Sequence, residues 1–389
     1  MAYNPNILRD VLRARSLTRS QLSQRLGIQL SELESELRRE PEPRQGILNT
    51  IAKELALPPF TFFMERPPHL HDVIPDFRSP SPAPSAKSRA TIESIQFAEG
   101  IQKAVARHRD QDLSNLPHFT ATQNAKVDEF ALRSRQFFNI TLEDQAEAKD
   151  ARAFYIICRK KIEDKGIFVL HDSFPEADGS GFCLSHPTHP VILVNTKQQT
   201  KGRRLFTLIH ELAHVLMRKT GISDPFVRVN AVERLCNRFA GAFLVPEAYV
   251  GALLGANQPV NEPDLDDVRW ASRRLKISQE ATVLRLEQLN LYKAGSHDRW
   301  KRLIHNVGNP DFSEKGGGAK EPPPQEKVKL AKYGFRFAAA FDDMLRQGLI
   351  TEINLYRSTG LKPKYQRAYF DYAKSIDSSE LRALELDDE

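Results

Sequence analysis

The sequence predicts a mainly α-helical protein with a small α+β core, an all-α helix-turn-helix unit at its N-terminus and a helical C-terminal region. Three observations lead there. Apolar residues recur at helical spacing through most of the 389 residues. Strand-like runs are confined to one window, IFVL, GFCL and VILVN, set between glycine and proline turns. Two segments of different composition, one rich in Pro and Ser and one in Gly and Pro, divide the chain. On this reading residues 1–64 form the helix-turn-helix unit and 65–90 a linker. Residues 91–255 form a central domain with its core at 151–255, and 256–300 a second helix-turn-helix-like segment. Residues 301–325 are a Gly/Pro-rich loop, and 326–389 the C-terminal helical region.

Composition narrows the classes. Some 40% of residues are hydrophobic and 27% charged, as in an ordinary globular protein. The formal charge of +6 permits nucleic-acid contact without arguing for it. Cys158, Cys183 and Cys236 lie far apart, with no CxxC pair, which suits a reducing compartment. No apolar stretch is long enough to cross a membrane, and the N-terminus lacks a signal-peptide core; a cytoplasmic protein is expected.

The elements follow in order. Ile7, Leu8, Val11 and Leu12 mark a first helix; Thr18 caps a second, RSQLSQRL, which Gly27 closes. LSELESELRRE and a stretch opened by Pro43 supply a third and a fourth. The run LTRSQLSQRLGIQLSELESEL resembles the XRE family of helix-turn-helix domains over some 55 residues. After the linker come TIESIQFAEGIQKAVARHR, NAKVDEFALRSRQFFN and DARAFYIICRKKIEDKG, all helical by pattern, then the three strands. GFCL, Gly181–Leu184, is a candidate edge strand for a peptide substrate, with an ordinary sheet strand as the alternative. Beyond Pro246 the helix, turn, helix rhythm returns, with Ser278 as a cap. The last region, about Glu326 to Ile376, is helical by pattern, and its stretch YGFRFAAAFDDMLRQGLI reads as packing.

The chemistry centres on LFTLIHELAHVLMR. Residues four apart share a helix face, so His210 and His214 aim their rings at one point. Glu211 lies about 100° round, within reach of a metal-bound water. Two imidazoles leave a catalytic zinc one protein ligand short. Glu233 is the best candidate for it, on the amphipathic helix AVERLCNRFAGAFLVP, with the loop TGISDPFV reversing the chain between the two helices. Asn237, one turn later, is placed to hydrogen-bond a ligand histidine or the Glu233 carboxylate. Cys236 is expected to point elsewhere and to pack as a small buried residue. His186 and His189, in SHPTHP, are either oxyanion stabilisers or parts of a surface turn, the turn being favoured; His69 and His71 belong to the linker.

RRLFTLIHELAHVL, ERLCNRFAGAFLVP and the preceding strands resemble the ImmA/IrrE family of metallo-endopeptidases. PDFR at Pro75–Arg78 and RLEQLNL resemble members in which an XRE domain precedes the peptidase. The resemblance implies one Zn²⁺ held by His210, His214 and Glu233, with Glu211 as catalytic base. This ligand set suits zinc best and leaves manganese open. It also implies a protein substrate, a regulator or toxin encoded nearby, and DNA as a partner of the N-terminal domain. No membrane partner is expected, and a homodimer is left open.

For DNA, the candidates are Gln21, Gln29 and Ser31 for base edges, and Arg19, Arg38 and Arg39, with Arg25 and Arg44, for phosphates. Glu32, Glu34 and Glu36 on the same helix work against phosphate contact, and a protein-docking or dimerisation module is the rival. Arg269, Arg273, Arg274, Lys276 and Arg285, with Gln279 and Thr282, make the second segment either a nucleic-acid contact or a solvated charged face. The sequence thus points to a zinc endopeptidase joined to a DNA-binding regulator domain. The alternative is a repressor or antitoxin that binds DNA and a toxin and cleaves little.

Overall fold

The computed structural model describes residues 2–66, 86–108, 111–120, 126–197, 199–223, 231–255, 263–307, 322–377 and 381. His69, His71, Pro75–Arg78 and Gly316–Gly318 lie outside the described residues.

At the N-terminus α1 (Pro5–Ala14), α2 (Arg19–Leu26), α3 (Leu30–Leu37) and α4 (Gln45–Glu54) surround a small core of their own, built from Ile7, Leu8, Val11, Leu12, Leu22, Leu33, Leu48, Ile51 and Phe62. Thr18 and Gln21 form a reciprocal capping box on α2, and Gly27 ends it in the left-handed conformation that glycine adopts without a Cβ penalty.

A second, larger core unites the rest. Its entry helices are α5 (Arg89–Ala106), α6 (Val127–Phe137), α7 (Leu142–Glu147) and α8 (Ala151–Asp164); α7, capped by Thr141 and Asp144, went unnoticed in the sequence. Strands β1 (Phe168–Asp172), β2 (Gly181–Leu184) and β3 (Val191–Asn195) precede α9 (Lys201–Leu216). Then come β4 (Gly221–Ser223), α10 (Ala231–Leu244), α11 (Glu247–Leu254), α12 (Leu265–Leu275), α13 (Gln279–Gln288) and α14 (Ser296–Val307). The C-terminal helices are α15 (Gln325–Arg346), α16 (Glu352–Thr359) and α17 (Pro363–Ser375).

The sheet order is β1-β3-β2-β4, with β1 parallel to β3 and β2 antiparallel to both neighbours. This corrects two expectations. GFCL is an interior strand, because both of its sides are paired. The start of TGISDPFV is not simple loop: Gly221–Ser223 pairs with β2 and is the outer strand. Alternation of apolar residues reports burial of a strand's faces, not whether a further strand pairs with its edge.

Buried arginines hold the helix ends. The last carbonyls of any helix lack intrahelical donors. At α10, Arg135 Nη1 donates to the carbonyls of Phe243 (2.9 Å) and Leu244 (3.0 Å), while its other nitrogens reach Ile140, Thr141 and Gln145. Its guanidinium also lies 4.9 Å from the Tyr249 ring. Burial lowers the Arg135 pKa to about 10, so the side chain stays charged at neutral pH. Arg285 Nε donates to Val245 O at 2.9 Å and its Nη1 to Asp128 at 2.8 Å. Arg285 is therefore a core residue, and Gln279 and Thr282 are buried with it. These three are not available to nucleic acid, whereas Arg269, Arg273 and Arg274 remain exposed. The second helix-turn-helix-like segment thus buries the face that carries Gln279, Thr282 and Arg285.

The C-terminal region docks on α8 through a buried pair. Arg159 donates to Ala331 O (2.7 Å) and Val169 O (2.6 Å), and Glu163 accepts from Phe335 N at 2.9 Å. Burial pushes the Glu163 carboxyl up to about 7 against the pull of Arg159. α15 passes this pair at Gly334, whose φ of +82° breaks the helix, and a Cβ there would lie 2.0 Å from Glu163 Oε1. Arg135→Leu leaves the α10 carbonyls without donors and is expected to lower unfolding free energy by about 3 kcal/mol or more. Urea unfolding checks this, and a midpoint equal to wild type contradicts it.

Candidate metal centre

The site forms where α9 and α10 lie side by side. α9 starts at Thr200, whose side chain caps it, and buries Leu205, Leu208, Leu212 and Leu216. α10 buries Leu235, Phe239 and Phe243. These apolar stripes bring the polar residues between them into register. His210 Nε2 lies 3.1 Å from Glu233 Oε2, His214 Nε2 lies 3.0 Å from Glu233 Oε1, and the two Nε2 atoms are 3.2 Å apart. His210, His214 and Glu233 are fully buried.

Asn237 Oδ1 is 2.9 Å from His210 Nδ1, which leaves Nε2 as the atom of that ring that faces Glu233 and His214. Of the two groups within reach of Asn237 by sequence spacing, the ligand histidine and the Glu233 carboxylate, Asn237 meets the histidine. Burial by itself lowers the His210 pKa, but the Glu233 and Glu211 carboxylates and Asn237 together raise it. For His214 burial prevails and the pKa falls. Burial works to raise the Glu233 carboxyl, yet the two imidazoles bring it down to about 2. Glu233 is thus an anion, the form in which a carboxylate ligates a cation.

Glu211 is buried on the next position of α9, and Ser223 Oγ donates a hydrogen bond to its Oε1. Ser223 was missed in the sequence: nothing in GIS announces that three residues pair with β2, at Ser223↔Gly181, and carry a hydroxyl to the α9 glutamate. β2 crosses α9 closely at Gly181. A Cβ there would lie 2.8 Å from Leu193 O, 3.0 Å from Thr207 Cγ2 and 3.4 Å from Glu211 Cγ.

Cys236 is buried in the apolar core as expected, but it does not point elsewhere. Its sulfur and the ring nitrogens of His210 and His214 all lie within 4.8 Å of one another. Three residues along a helix is a turn of about 300°, so Cys236 stands only about 60° from Glu233, on the side opposite Asn237. His186 and His189 lie in a turn, but not a surface one, because His189 is buried. His186 Nδ1 accepts from Thr188 N and His189 N, and the His186 ring lines a cavity of about 510 Å³ with His118 and Arg218 beyond the end of α9.

The donor set can be tested against a metal. Zinc bonded to imidazole and carboxylate at ~2.0–2.2 Å has neighbouring donors roughly 3.3–3.5 Å apart. The observed separations of 3.0–3.2 Å come within a few tenths of that, and the donors are two imidazoles and an ionised carboxylate, which fit the group.

The N-terminal candidates are elsewhere. Arg19, Gln21, Gln29, Ser31, Arg38 and Arg39 are all exposed, on or beside α2 and α3. Gln21 also accepts from Thr18 N at 2.9 Å, a capping task, and Glu36 is paired with Arg44. No helix among the described residues is long and apolar enough to cross a membrane.

Gly181→Ala is expected to cost about 1–3 kcal/mol of stability, because backbone on one side and Thr207 on the other leave no room. Calorimetry is the check; an unaltered transition would mean that β2 can move off α9.

No curated protein matches this chain. Residues 162–287, about a third of the chain and including the end of α8, the whole sheet and α9 to α13, match the peptidase family model described as the IrrE N-terminal-like domain, which supports a peptidase of that type.

Proposed function

We propose that this chain is a zinc-dependent endopeptidase joined to a DNA-binding regulator domain, and that it cleaves a specific regulatory protein. The observation that carries the reading is the meeting of His210, His214 and Glu233 at 3.0–3.2 Å with Glu211 beside them on α9. His210, His214 and Glu233 would hold the ion, leaving one coordination position for chemistry. Zinc supplies Lewis acidity there, lowering the pKa of water and polarising a peptide carbonyl.

The rest is the work of the protein. Glu211 takes the proton of the attacking water and delivers it to the leaving amine. Ser223, through its hydrogen bond to Oε1, restricts the orientation of the carboxylate. Asn237 fixes the tautomer of His210. β4, the outer strand beside Glu211, supports an extended substrate backbone lying along the sheet edge.

Glu211→Gln is expected to retain one zinc per chain and lose cleavage by at least about 100-fold, whereas His214→Ala loses the metal. Metal analysis beside co-expression with regulators encoded nearby tests both. A Glu211→Gln protein that cleaves as well as wild type sinks the mechanism. Wild type that cleaves no such partner while binding DNA tightly favours the repressor or antitoxin reading.

For the N-terminal unit, the exposed arginines and the α2–Gly27–α3 turn support DNA contact. Pairing of Glu36 with Arg44 and of Glu34 with Arg38 reduces the acidity of α3. Arg19→Ala combined with Arg39→Ala is expected to weaken binding to promoter duplexes and to flatten its salt dependence by about two charges. A mobility-shift titration at several salt concentrations reads it out. Identical slopes would make this unit a docking module instead.

A further inference from the structure

We propose that Cys236 is a fourth protein donor of the metal centre, one that closes the coordination position a catalytic site leaves open. The inference rests on the metal-centre reading above and adds a residue which that reading does not use.

Four observations support it. The Cys236 sulfur and the His210 and His214 ring nitrogens lie within 4.8 Å of one another, so little movement separates the thiol from a position shared with both imidazoles. Cys236 follows Glu233 by three residues on α10, so one helix face carries both donors, with Asn237 next to them. The residue has no solvent exposure. Its sulfur makes no hydrogen bond among the described residues, in contrast to Cys183, whose sulfur donates to Lys219 O at 3.1 Å.

The chemistry is that of a borderline-soft cation with a thiolate. On binding, the S–H proton leaves to solvent and the sulfur bonds the ion. The resulting Cys, His, His, Glu set is four-coordinate, as closed zinc sites are, and has no position left for water. Release of the sulfur restores the His, His, Glu set with one position open. Cys236 thereby acts as an internal brake, holding the ion while Glu211 has no water to deprotonate.

The test uses the full chain loaded with Co²⁺ in place of zinc. Thiolate ligation gives a near-ultraviolet sulfur-to-cobalt charge-transfer band, and the visible ligand-field bands report occupancy independently. Wild type is expected to show both. Cys236→Ala, and Cys236→Ser should the smaller side chain unsettle α10, is expected to keep one Co²⁺ per chain and the visible bands while losing the charge-transfer band. Cys183→Ala is expected to keep it. Cobalt bound to wild type without the charge-transfer band, or with a band that survives in both Cys236 variants, overturns the proposal and leaves the His, His, Glu centre standing. A wild-type chain that takes up no Co²⁺, or a His214→Ala chain that takes it up equally, overturns the metal-centre reading and this proposal with it.

Discussion

Between α9 and α10 a cluster of polar side chains is sealed from water, and the seam between these two helices constrains everything around it. Removing two imidazoles and two carboxylates from solvent costs several kcal/mol per charge unless they satisfy one another. They do so only while His210, His214 and Glu233 stay within about 3 Å, so neither helix can slide. Asn237 adds the bond that orients His210, and the apolar stripes of both helices provide the favourable burial that the polar cluster lacks.

That constraint explains where the costly features of the fold sit. Arg135 and Arg285 are buried at the end of α10, donating to Phe243, Leu244 and Val245. A helix that must not move has its terminal carbonyls anchored by charged donors, which are stronger than neutral ones. The opposite face of the site is held by the sheet. Gly181 lets β2 approach α9 within contact of Thr207 and Glu211, and β4 brings Ser223 to the Glu211 carboxylate. A polar site of this kind depends on rigid elements and on the residues that orient its side chains.

Further out, the Arg159–Glu163 pair links α8 to α15 at Gly334, the one point where the helix opens to let the buried carboxyl accept Phe335 N–H. The segment that matches the peptidase model begins in the last turn of α8 and includes Glu163, so the C-terminal helices brace it from outside the matched residues. The N-terminal unit has a separate apolar core and touches the rest through polar contacts such as Arg25 Nη1 to Lys87 O at 2.7 Å.

Local periodicity and short spacings settled a good part of this protein. The i, i+4 histidines, the amphipathic helix of Glu233 and Asn237, the capped helices and the confinement of strands to one window are properties of neighbouring residues, and they were legible as such. What tertiary structure alone decided are the relations between distant segments. GFCL reads the same whether its edge is free or paired; Gly221–Ser223 became β4 only because β2 offered it hydrogen-bonding groups. Arg285 belongs to a basic run in the sequence, yet it is buried because Val245 O and Asp128 lie opposite. Ser223 and Cys236 reached the site for the same reason. A side chain's angle round its own helix follows from sequence spacing, but what it meets there depends on the element packed against it.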